Sequence, residues 1–169
     1  MTDELKKTHG PEKNNAPHVP NHTHEEINGY CATYLFKASR MLGNAEVQEF
    51  ARELMKAIAA ACMKKGATDV GHIKAHIEYG GDGFLYADTL GDVSDIMVRG
   101  RDGNPTDTIK LVINSIIVEL EAPDIRDATE EGVDAVCAAG GLTKEIVKQD
   151  LYDADDHEHL LQAPDYDNL

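Results

Sequence analysis

In Gly71–Gly80 (GHIKAHIEYG), Ile73, Ala75, Ile77 and Tyr79 alternate with His72, Lys74, His76 and Glu78. A period of two is the mark of a strand with one buried face. Gly80-Gly81-Asp82-Gly83 supplies residues that tolerate positive φ, as a tight hairpin requires. Phe84–Leu90 (FLYADTL) reads as the returning strand, with Phe84 and Tyr86 opposed to Leu85 and Ala87. Asp95–Gly100 is a shorter third strand, with Ile96 and Val98 on one face. After the turn signal Asp102-Gly103-Asn104-Pro105 comes Thr108–Leu120 (TIKLVINSIIVEL), the most continuously apolar run of the chain. Its β-branched composition suits a central strand. The turns between these runs are short, so they predict an antiparallel meander.

Helical spacing is read elsewhere. Thr23 and Glu26 have the spacing of a capping box. Ile27, Tyr30, Cys31, Tyr34, Leu35, Ala38, Met41 and Leu42 then fit one helical stripe that Gly43 ends. Asn44 is the expected N-cap of a second helix to about Lys65, with Val47, Phe50, Ala51, Leu54, Ile58, Ala61 and Cys62 inward. Lys64, Lys65 and Gly66 suit its C-terminus. Pro123 or Asp124 opens a third helix that Gly140-Gly141 stops, and Thr143 caps a short fourth with Ile146, Val147 and Leu151 apolar. The expected fold is α+β and two-layered. A four-stranded, mainly antiparallel sheet packs against an N-terminal helical hairpin and one or two C-terminal helices.

This domain is expected over residues 21–152. Residues 1–20 are polar, interrupted by Pro11, Pro17 and Pro20, and expected to be a disordered tail. Residues 153–169 are acidic, without Lys or Arg, and expected to be a flexible tail. The net charge of −15 argues against a nucleic-acid footprint and against anionic membrane surfaces. No apolar run has the length of a membrane span, and Met1–Lys7 leads into no signal-peptide core, so a cytoplasmic location is expected. Cys31, Cys62 and Cys137 form no CxxC pair and are expected on helices as small buried thiols.

The standard phosphate-binding, nucleophile-elbow and metalloprotease motifs are missing. Two constellations carry chemistry. His72, Lys74, His76 and Glu78 share one strand face and form a candidate ligand-binding row; the same row fits a plain solvated face. Its two imidazoles stand roughly 13 Å apart, too far to share one metal unaided. His22 and His24 at the front, and His157 and His159 at the back, are candidate metal ligands among carboxylates; they also fit incidental polar residues of tails.

Gly71–Ala75, the glycine turn, Val98-Arg99-Gly100 and Ile113–Ile117 together resemble the C-terminal region of CobW-type GTPases, which handle metals or corrinoids. The resemblance covers about residues 70–120, and the GTPase half with its P-loop is missing. It implies an accessory domain in metal or cofactor handling without nucleotide hydrolysis. The expected function is therefore a non-catalytic accessory or binding protein, possible partners being a small-molecule cofactor or a metal ion, of identity unknown. The alternatives are a structural or homo-oligomerisation module, and a small-molecule enzyme using the His72/Lys74/His76 face.

Overall fold

The computed structural model describes residues 28–90 and 95–152. The elements run β1 (Asn28–Leu42), α1 (Asn44–Lys64), β2 (His72–Tyr79), β3 (Gly83–Leu90), β4 (Ile96–Arg101), β5 (Thr106–Ile117), α2 (Ala122–Gly140) and β6 (Leu142–Tyr152). The six strands form one sheet in the order β4-β3-β2-β5-β1-β6, antiparallel at every pairing. Both helices lie on one face of it, so the molecule is α+β and two-layered.

Three expectations are corrected. The sheet has six strands, not four, because the expected first and fourth helices are strands. The N-terminal helical hairpin therefore does not exist. In β1, Tyr30, Ala32, Tyr34, Phe36 and Ala38 alternate into the core while Cys31, Thr33, Leu35 and Lys37 face the other way. Tyr30 and Tyr34 stand four residues apart, which is one helical turn but also two strand repeats, so the stripe fitted both periods. The aromatic content decides for a pleated surface. The third correction concerns connectivity: β2, β3 and β4 form a meander, but β5 returns to pair with β2 and β1 instead of β4. The proposed box at Thr23 and Glu26 lies outside the described residues, as do residues 1–20 and 153–169.

The helices expected to start at Asn44 and at Pro123 or Asp124 both form, the second already from Ala122. The N-cap of α1 is Gly43, one residue before the expected Asn44. Glu46 reaches back to accept the Gly43 N–H at 3.0 Å, and Arg40 hydrogen-bonds the same carboxylate. These bonds, Arg40's first and then that of Gly43, hold the Glu46 carboxyl at about 2. The freed Asn44 side chain accepts the Gly103 N–H at 3.1 Å and ties the β4–β5 turn to the helix start. Gly141, at φ 63°, closes α2 in the left-handed conformation. Gly80, at φ 58°, must be glycine for a second reason: a Cβ there would stand 1.9 Å from the Asn104 carbonyl oxygen.

The core lies between helices and sheet. Ile73, Ile77, Ile109, Leu111, Ile113 and Ile117 rise from β2 and β5 to meet Leu54, Met55 and Ile58 of α1 and Ile125 and Val133 of α2. The helices meet at Gly132, whose missing side chain lets the Ile58 backbone approach; a Cβ would lie 2.7 Å from Ile58 Cα. On the same layer Glu130 accepts hydrogen bonds from Tyr30 (2.9 Å) and Tyr34 (2.6 Å) and pairs with Lys144, binding α2 to β1 and β6. Burial pushes the Tyr30 hydroxyl up to about 12 and that of Tyr34 further still. Cys62 and Cys137 are buried helical thiols as expected, whereas Cys31 is half-buried on a strand; all three are free. Among the described residues no helix is long and apolar enough to cross a membrane.

Candidate functional site on the open sheet face

Since the helices cover the Ile73/Ile77 face of β2, the period of two leaves His72, Lys74, His76 and Glu78 on the opposite, open face. The expected row is thus intact, and the register shows what stands beside it. On β3, Asp88 opposes Lys74, Tyr86 opposes His76 and Phe84 opposes Glu78. On β5, Asn114, Val112 and Lys110 take the same three places. Arg99 of β4 stands beyond Tyr86.

These side chains enclose a depression of about 240 Å³ lined by Lys74, His76, Tyr86, Asp88, Arg99, Val112 and Asn114, with Ala75 and Ala87 at its base. One wall is flat: the His76 and Tyr86 rings stack at 4.7 Å with 16° between their planes. Phe84 packs edge-on to Tyr86 at 5.4 Å, and Arg101 caps Phe84 at 5.4 Å. Burial lowers the His76 pKa; Lys110 adds to this and Glu78 opposes it. His76 is therefore a neutral ring near pH 7, and its 3.9 Å approach to Glu78 is a polar contact rather than an ion pair. Glu78 is instead engaged by Lys110 at 3.0 Å. His72 is lowered too, first by burial and then by Lys74.

The charge in the depression is cationic, in a chain whose net charge is −15. Asp88 is the carboxylate among the lining side chains, and Arg99 stands 3.9 Å from it. Lys74 makes no ion pair with any described residue. At the far side, Asn114 accepts a hydrogen bond from the Tyr152 hydroxyl. Tyr152 reaches it across Gly29 of β1, where a Cβ would stand 2.1 Å from the tyrosine ring. An ammonium that no described carboxylate engages in an ion pair, beside a flat aromatic wall, suits a small anion with a planar body.

Of the expected site residues, Lys74 and His76 enter the depression; His72 and Glu78 share its face but do not line it. His22, His24, His157 and His159 lie outside the described residues. Among the described residues no group of three or more His, Cys, Asp or Glu side chains converges to hold a metal. Tyr86 and Asp88 were missed although the hairpin points to them, since a turn centred on Gly81 sets Tyr86 opposite His76 and Asp88 opposite Lys74. Asn114, Val112 and Arg99 become neighbours only through the sheet order.

No known family model matches the chain, and no curated protein matches it.

Proposed function

We propose that the protein is a non-catalytic binding protein whose open sheet face holds a small organic anion. The observation that carries this is Lys74: an ammonium that makes no ion pair among the described residues, on the rim of a depression walled by the stacked His76 and Tyr86 rings. The carboxylate or phosphate of the ligand would pair with Lys74 and Arg99, and its planar part would lie on the ring wall. The neutral state of His76 favours this, because an uncharged imidazole keeps the wall apolar. A metal-bearing cofactor, as the CobW-type resemblance implies, is favoured less, since the two imidazoles of β2 stand roughly 13 Å apart and do not converge.

The test is calorimetric titration of the full chain with aromatic carboxylates, nucleoside monophosphates, inorganic phosphate, a corrinoid, and Zn or Co ions. The expected result is binding of a planar anion, weakened about tenfold to a hundredfold by Lys74→Ala, as loss of a charge-assisted hydrogen bond predicts. Tyr86→Ala should weaken it as well. Binding that ignores both substitutions, or binding of the metals or the corrinoid alone, overturns the proposal.

A further inference from the structure

Strand β6 forms one edge of the sheet, with β1 on its inner side and, among the described residues, no strand on its outer side. Such an edge turns backbone donors and acceptors outward, where a further strand can pair with them. It is 11 residues long, contains no proline, and exposes Ile146, Val147 and Leu151 at 40%, 56% and 43%. Its pairing with β1 steps from Thr33↔Lys148 to Tyr34↔Ile146, so Val147 is a bulge without a partner.

The bulge has a consequence for symmetry. Thr143, Glu145, Lys148 and Asp150 lie on the open side of the sheet; Leu142, Lys144, Ile146, Gln149 and Leu151 lie on the helix side. A two-fold axis perpendicular to the sheet keeps each face on its own side, so a self-pairing must match open residues with open and helix-side residues with helix-side. Two registers of β6 against its own copy satisfy this across the bulge. One sets Ile146 opposite the partner's Val147. It places Glu145 opposite Lys148 of the partner subunit, twice by symmetry, and Leu142 opposite the partner's Leu151. The other, slipped by one step of the repeat, places Glu145 opposite Asp150 of the partner subunit, again twice. Directly opposed like charges are unfavourable and opposed unlike charges favourable, so the charges select the first register.

We infer that the chain forms a two-fold dimer by antiparallel pairing of β6 with β6 in that register, joining the two sheets into one. The occupant of this edge is a second copy because the strand is complementary to itself in charge, in apolar content and in face. The interface lies at the edge opposite β4 and is independent of the open-face ligand.

The experiment is sedimentation velocity on the full chain and on three variants, with circular dichroism to verify folding. The wild type should sediment as a dimer. Glu145→Lys and Lys148→Glu each create two opposed like-charge pairs and should weaken the dimer about tenfold or more. Combining them restores opposite signs and should restore the dimer. Both side chains are exposed, so the single variants should fold. A monomeric wild type, single variants that dimerise as tightly as the wild type, or a double variant that stays monomeric overturns the inference.

Discussion

The two faces of this sheet are made by the same strands one residue out of phase, yet they do different work. Between helices and sheet, Ile73, Ile77 and Ile113 are fully buried, and removal of their apolar area from water is what holds the layers together. One residue along, His76, Val112 and Asn114 stand on the face without helices, and there the side chains are half-exposed and mostly polar or aromatic. The helix layer thus frees the opposite face from carrying stability. A row of His, Lys and Tyr can persist there because no core depends on it.

The largest effect should come from the covered face. Ile113→Ala removes a fully buried side chain that pairs across to Ala32 and Ala75, neither large enough to fill the cavity. It should cost about 2–5 kcal/mol in urea unfolding. Lys110→Ala, three residues away on the open face, should cost less than about 1 kcal/mol, the ordinary range for an exposed ion pair. If the order is reversed, the assignment of faces is wrong.

Next comes the contact between the helices. Gly132→Ala would drive a methyl group into the Ile58 backbone, and the helices must part to admit it. The expected cost is about 1–3 kcal/mol, as for other overpacked cores. The ligand affinity should hardly change, because the depression lies on the far face.

A smaller and pH-dependent effect belongs to Glu130. Burial would raise its carboxyl, but hydrogen bonds from Lys144, Tyr34 and Tyr30 outweigh this and hold it below the ordinary value. A depressed carboxyl binds its proton more weakly folded than unfolded. Its contribution is therefore fully present above the unfolded value of about 4.3 and is lost as pH falls through the folded one. Thermal midpoints between about pH 6 and pH 3 should fall on acidification, and less steeply in Glu130→Gln. An equal slope in both would show that other carboxylates carry the acid limb.

The β2–β3 hairpin, α1, α2 and the face of His72, Lys74, His76 and Glu78 were legible because glycine or proline stops bound each of these elements, and β2 and α1 keep one clean period between them. β1 and β6 were not, for two separate reasons. In β1 the Tyr30–Tyr34 spacing satisfies both helix and strand, and only Ala32 and Phe36 between and beyond them settle the matter. In β6 the bulge at Val147 breaks the alternation, so Ile146, Val147 and Leu151 mimic a helical stripe. The depression was half legible for a related reason. Hairpin counting reaches Tyr86 and Asp88, whereas Asn114 and Arg99 depend on the place of β5 beside β2, and pairing across such a distance in sequence leaves no local pattern.

The central claim is that the open face binds while the covered face stabilises, and one paired measurement tests it. Wild type, Lys74→Ala and Tyr86→Ala would be titrated with the tightest planar anion found and melted under the same conditions. Lys74→Ala should weaken binding at least about tenfold while its stability stays within about 0.5 kcal/mol of wild type, as expected for an exposed side chain outside the core. Unchanged binding, or binding that falls only in step with a falling melting temperature, would contradict it.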